Sequence, residues 1–210
     1  MKAKVIILLV SLFSLAGSVH AQTQFGLRGG LNYTTVEPVG DPVGSLYNAK
    51  YKPTFHIGVF GKIGLSDKLS LNPDLLYTDK GFWSEGMENA TPAGDATLHL
   101  RYINLPVLLG YKVGDKLTFK LGPELGYLLS ARSTFDSETI NVEYLWENKL
   151  DFGLAAGIDY ALSDKVSLEL RYTRGFSSVI GDFIDIGRPE PSGTSFQNRS
   201  LQLSLAYRLY

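Results

Sequence analysis

The chain has 210 residues, 44% hydrophobic, 12% aromatic and 20% charged, with 22 Gly, 9 Pro and no Cys. This composition excludes a disordered tail, a collagen-like chain, a disulfide-stapled scaffold and any cysteine-ligated metal or iron–sulfur site, and it allows one domain with a full core. Twenty Lys and Arg against 21 Asp and Glu leave no basic stripe of the kind nucleic-acid binding needs.

Residues 1–21 read as a secretory signal peptide. Lys2 and Lys4 form a positive n-region, Val5 to Ala16 an apolar run of 12 residues, and Val19-His20-Ala21 a small-residue cleavage pattern. The expected mature domain is 22–210, with 18 basic and 21 acidic residues. Twelve apolar residues are too few for a transmembrane helix, and no later stretch approaches the roughly 18 to 20 required. Without Cys, a lipid-modified N-terminal cysteine is not expected.

The remainder alternates apolar and polar residues with period two, the signature of strands. From Leu150 to Leu162, even positions are mostly large and apolar, while odd ones are small or acidic. In Val166–Tyr172, Ser167, Glu169 and Arg171 share the polar face; Leu201, Leu203, Leu205, Tyr207 and Leu209 form the apolar face of the last strand. The pattern predicts eight strands, at about 23–33, 53–65, 69–82, 98–113, 117–130, 149–162, 166–176 and 198–210.

An internal repeat fixes their connections. Leu65-Ser66-Asp67-Lys68-Leu69, Val113-Gly114-Asp115-Lys116-Leu117 and Leu162-Ser163-Asp164-Lys165-Val166 are versions of one tight turn, with aspartates 48 and 49 residues apart. Between them lie long Gly/Pro/Ser-rich connections near 34–52, 83–97, 131–148 and 177–197. Three short turns alternating with four long loops predict an all-β, eight-stranded, antiparallel up-and-down transmembrane barrel with both termini on the short-turn side. A soluble lipocalin-like barrel shares the alternation. Eight strands leave room inside only for side chains, however, so the face rich in Gly and charge, with Gly26, Gly30, Gly58, Gly64, Gly110, Gly122, Gly126, Gly153 and Gly157, fits the lumen. Tyr77, Phe82, Tyr102, Tyr111, Tyr127, Phe152, Tyr160, Tyr172, Phe176 and Tyr207 suit two interfacial girdles. Pro73, Pro106 and Pro123 fall inside strands, where bulges are the expected accommodation.

Leu69–Tyr77 with Lys80-Gly81-Phe82, Tyr102–Tyr111 and Gly122–Leu129 resemble the barrel domain of PorT-like, "porin family" outer-membrane proteins. Phe25–Asn32 matches the family's first strand, and Leu170-Arg171-Tyr172 with Gly175-Phe176 its seventh. The resemblance spans nearly the whole mature chain. It implies a small eight-stranded barrel in the outer membrane of a Gram-negative bacterium, and one group of such proteins is associated with protein secretion. The terminal aromatic departs from the pattern: Tyr210 is out of phase with Tyr207 and Leu209.

Inward positions carry Arg28, Lys62, Lys112, Lys120, Arg171 and Arg208 against Asp74, Glu124, Asp151, Asp159 and Glu169, with Asn32 and Asn72 among them. Enclosed charges must pair, so this near-balance predicts a structural lumen network that plugs the barrel rather than a selective pore. His56 is expected in the lumen and His99 at the loop rim; a rim hydrolase would need His99 with Glu85, Glu88, Asp95 or Ser84, and no nucleophile elbow, phosphate loop or His-rich metal cluster supports one. No cofactor is expected. Function is expected in the long loops. The last, with Ile180, Phe183, Ile184 and Ile186 beside Arg188-Pro189-Glu190-Pro191, is the candidate partner-binding loop, for lipopolysaccharide or another envelope protein. The expected molecule is a monomer in outer-membrane lipid, not an enzyme, acting in envelope organisation, adhesion, or a secretion or uptake assembly. A narrow passive channel is the first alternative, and a hydrolase using His99 the second.

Overall fold

The computed structural model describes residues 23–39, 49–84, 95–135, 138–145, 149–178 and 195–210. The predicted signal peptide, the loop residues Ile180, Phe183, Ile184 and Ile186, and Glu85 and Glu88 lie outside them.

The alternation yields β1 (Thr23–Val39), β2 (Ala49–Lys50), β3 (Lys52–Gly64), β4 (Leu69–Ser84), β5 (Ala96–Val113), β6 (Leu117–Phe135), β7 (Glu138–Asn141), β8 (Leu150–Ala161), β9 (Val166–Gly175) and β10 (Ser195–Arg208). The eight long strands pair antiparallel in the order β1-β3-β4-β5-β6-β8-β9-β10, and β10 returns to β1 from Gly26↔Arg208 to Val39↔Ser195. The sheet is therefore a closed ring. Its polarity is the inverse of a soluble core: on β10, Leu203 is 48% exposed while Gln202 and Ser204 are 1% and 2% exposed.

Two of the tight turns are built alike. Ser66 Oγ accepts from the amides of Lys68 and Leu69 at 3.4 and 3.1 Å, and Ser163 Oγ from those of Lys165 and Val166 at 3.3 and 3.1 Å. In the middle turn Gly114 replaces the serine and takes φ +67°, a left-handed conformation that glycine adopts without steric cost. On the opposite side the strands run on beyond their predicted ends, β1 to Val39 and β6 to Phe135. β7 adds a short hairpin to β6, and β2 pairs with β4. A membrane strand needs only about 9–11 residues, so the surplus stands outside the bilayer, where pairing still satisfies its amides.

The prolines are not accommodated by bulges. Pairing lapses between Phe60↔Asp74 and Ile63↔Leu71, between Pro73↔Val107 and Leu76↔Asn104, and between Pro106↔Glu124 and Leu109↔Leu121, and resumes each time in unchanged register. The missing N–H groups open the ladder locally instead. The register shift in the β5–β6 pair falls elsewhere, between Arg101 and Tyr102, and leaves Leu129 without a partner. Beyond it the inward parity of β6 moves from Leu128 to Ala131 and Ser133. A second irregularity explains the out-of-phase terminus: Leu209 and Tyr210 both donate their amides to Phe25 O, at 2.9 and 3.2 Å. Two residues thus oppose one.

The apolar-out rule fails at the loop end. Phe82 and Tyr102, expected in the girdles, point inward and are 6% and 2% exposed; with Val36, Leu98, Leu100, Leu128, Ala131, Val142 and Phe196 they form a buried apolar cluster across the lumen. Leu98, Leu100 and Tyr102 share the inward parity of Asn104 on β5, and the cluster lies at the end where the strands extend past the bilayer, so the enclosed interior is filled by packing as in a soluble protein. The other predicted girdle residues lie on the outer surface, Tyr111, Tyr127, Phe152, Tyr160, Tyr172, Phe176 and Tyr207 exposed and Tyr77 partly so.

Candidate functional site

The lumen places polar side chains from strands far apart in sequence within bonding distance. Glu169 on β9 is the hub: its Oε2 accepts from Lys120 Nζ at 2.5 Å and pairs with Arg28 Nη1 at 2.9 Å, while Oε1 accepts from Arg171 Nε at 2.5 Å. Arg171 Nη2 also donates to Asp74 Oδ2 at 2.6 Å, and Arg28 Nε lies 3.4 Å from that oxygen. Lys120 bridges to Asp159 Oδ2 at 3.0 Å, which accepts a further bond from Ser167 Oγ at 3.1 Å. Six of the sequence-predicted lumen residues, Arg28, Asp74, Lys120, Asp159, Glu169 and Arg171, therefore form one network. Three cations against three carboxylates is the arrangement that permits charge in a low-dielectric interior, since each group is neutralised by its neighbours and all but Arg28, which contributes ion pairs alone, are hydrogen-bonded as well.

Glu124 and Asp151 belong to a second cluster nearer the loops. Lys80 Nζ lies 2.9 Å from Glu124 Oε1 and 3.6 Å from Asp151 Oδ2, and 5.2 Å from the Tyr102 ring centroid. Asn104 donates to Glu124, and Asn198 Nδ2 to Asp151 Oδ2 at 2.8 Å. Lys80 was not among the residues expected there, yet the signal was present, since it shares the parity of Asp74 on the same strand.

Lys62 and Arg208 join neither cluster. Both lie at the turn end, lining a cavity of about 290 Å³. His56 is 2% exposed. It donates from Nδ1 to Asn32 Oδ1 at 2.6 Å and accepts at Nε2 from Ser204 Oγ at 2.8 Å, so both ring nitrogens are occupied.

His99 sits at the loop rim, with Asp79 and Lys52 against its ring. Its Nδ1 lies 2.9 Å from Asp79 Oδ2 and 3.0 Å from Lys52 Nζ, and Lys52 also donates to Leu98 O at 2.6 Å. Asp79 meanwhile accepts at its backbone carbonyl from Thr54 Oγ1 at 2.6 Å and Asn32 Nδ2 at 3.3 Å. The upper part of β4 is thereby tied across the mouth, aided by Gly81, whose φ of +118° no bulky residue adopts readily. The rim pair has an oriented imidazole but no hydroxyl, thiol or carboxylate of the described residues bonded to its Nε2. Among the described residues no three His, Cys, Asp or Glu side chains gather as a metal site.

No curated protein matches the chain in sequence. Among solved structures, Neisserial surface protein A superposes with a TM-score of 0.55 at 12% identity, over 87% of this chain and 96% of that one. The attachment invasion locus protein Ail of Yersinia pestis gives 0.47 at 11% identity, over 89% of this chain and 98% of that one. OprG of Pseudomonas aeruginosa gives 0.44 at 14% identity, over 91% and 98%. The family model described as "outer membrane protein beta-barrel domain" covers residues 20–181. With its inverted polarity, closed ring and short turns all at one end, the chain belongs to the outer membrane protein beta-barrel domain family, and its place is the outer membrane of a Gram-negative bacterium.

Proposed function

We propose that this barrel is a closed, non-conducting scaffold that acts through its external loops as a structural or binding component of the envelope, in adhesion or in a secretion or uptake assembly. One observation carries the reading: the apolar cluster of Phe82, Leu98, Leu100, Tyr102 and Leu128 lies across the loop end of the lumen, above a neutralised ion network. An aqueous path would need a continuous polar bore. With lipid on one face of the wall and packing on the other, the loops remain for recognition. The loop 179–194, with Ile180, Phe183, Ile184 and Ile186, is the proposed docking segment for lipopolysaccharide or another envelope protein. The PorT-like segments around Pro73, Pro106 and Pro123 support placement beside secretion-associated barrels. No enzymatic role is proposed.

Planar-bilayer recording of the refolded protein tests this. Wild-type protein gives no stepwise conductance, whereas Leu100→Ala combined with Tyr102→Ala opens the loop end and produces steps. Ohmic steps from wild-type protein would replace this reading with the narrow passive channel.

A further inference from the structure

The two ends of the lumen differ in charge as well as in polarity. The turn-end cavity is lined by seven basic and three acidic side chains. Two of the basic groups, Arg28 and Lys120, are already bonded to Asp74, Glu169 and Asp159. The acidic groups Asp115 and Asp164 lie in exposed turns beside Lys116 and Lys165. What remains is Lys62, Lys112 and Arg208, from β3, β5 and β10, none of which makes an ion pair among the described residues. Lys62 is half-buried and within electrostatic reach of Lys112, Lys120 and Arg208, with Asp159 as the opposing charge.

This excess differs from scattered surface lysines. Period-two parity on three separate strands turns the side chains toward one concave space, whose walls are low-dielectric barrel and whose mouth opens between the tight turns. Like charges held in such a cleft raise its potential and repel one another until an anion enters. The polar floor adds Asn72 and Thr118.

We propose that this turn-side vestibule is a binding site for a small phosphate-bearing anion reached from the periplasm. The ammonium groups of Lys62 and Lys112 act as point charges suited to phosphate oxygens, and the Arg208 guanidinium supplies a planar donor fork. Phosphate could arrive on a periplasmic solute or as the headgroup of an anionic phospholipid in the inner leaflet, since the chemistry is the same. The site is independent of the loop-based role, and its failure leaves that role untouched.

The test uses the full chain folded into nanodiscs of neutral phosphatidylcholine, with pyrophosphate as the probe and calorimetry as the readout. Wild-type protein binds saturably and more weakly as salt is raised. The Lys62→Gln, Lys112→Gln and Arg208→Gln triple variant weakens binding by about tenfold or more, while Lys68→Gln, in a turn outside the cavity, leaves it unchanged. Heat-modifiable mobility on gels verifies that each variant is folded. As a second measurement, pyrophosphate raises the unfolding temperature of wild-type protein and not of the triple variant, and Lys62→Gln alone has an intermediate effect. Non-saturable binding by wild-type protein, or equal binding by the folded triple variant, overturns the proposal. Replacing part of the neutral lipid with phosphatidylglycerol separates the sources: competition with pyrophosphate assigns the site to a headgroup, and unchanged binding assigns it to a solute.

Discussion

From the loops toward the turns, the lumen passes from Phe82, Leu98, Leu100 and Leu128 to Arg28, Asp74, Glu169 and Arg171, all of them nearly inaccessible to solvent. At the loop end the interior is filled by shape, so each residue contributes packing with its neighbours and losing one leaves a void. Below that cluster, before the turn-side cavity, it is filled by mutual neutralisation, so losing one residue strands several charges. Equal burial therefore does not imply equal tolerance. The ion network is the more brittle of the two because its members depend on one another.

Glu169 tests the brittle end most severely, since it alone meets Arg28, Lys120 and Arg171. Glu169→Ala is expected to destabilise the barrel by about 3–5 kcal/mol, the cost of leaving buried charge uncompensated. Urea titration of the unboiled, fast-migrating gel band measures this, and an unchanged midpoint would mean that water already solvates the network. In the apolar cluster, Leu100→Ala is expected to cost about 2–5 kcal/mol, with the low end reached if the mouth collapses around the void. The same titration reads it, and a loss exceeding that of Glu169→Ala would make the apolar cluster the more brittle of the two. The smallest effect belongs to the rim, where Lys149 pairs with Glu143. The Glu143 carboxylate raises the Lys149 pKa above its usual value. The favourable interaction is thus fully present below the ordinary lysine range and lost only as pH climbs through the raised value. Exposed pairs are weak, and Lys149→Gln is expected to leave the urea midpoint at neutral pH within error.

Much of this contrast was legible in the chain. Period two gave the eight strands, the repeated Asp-Lys turn gave their connection, and parity placed Arg28, Asp74, Lys120, Glu124, Asp151, Asp159, Glu169 and Arg171 on one face. Parity does not say which inward residues touch, because that depends on stagger around the ring. Hence Glu124 and Asp151 fall to Lys80 rather than to Arg171 and Lys120. The apolar cluster was hidden for a different reason. Leu98, Leu100 and Tyr102 obey the same alternation as Asn104, and an apolar residue on a barrel strand reads as lipid-facing unless the end of the bilayer is known. Nor is Leu129 marked in the sequence as the unpaired residue that changes the phase of β6.

The seam between β1 and β10 carries a consequence for assembly. It joins residues from opposite ends of the described chain, down to the bond from the Phe25 amide to Tyr210 O at 3.0 Å. Every other neighbour in the ring is joined by a single turn or loop and can zip locally, but this pairing must wait until the last strand is delivered, and it carries the largest loop-closure entropy. Until then the nascent sheet has two unsatisfied edges, each open to another copy of the chain. Successful biogenesis is accordingly a race between sealing this seam and intermolecular pairing, and a chain truncated before Ser195 never finishes it.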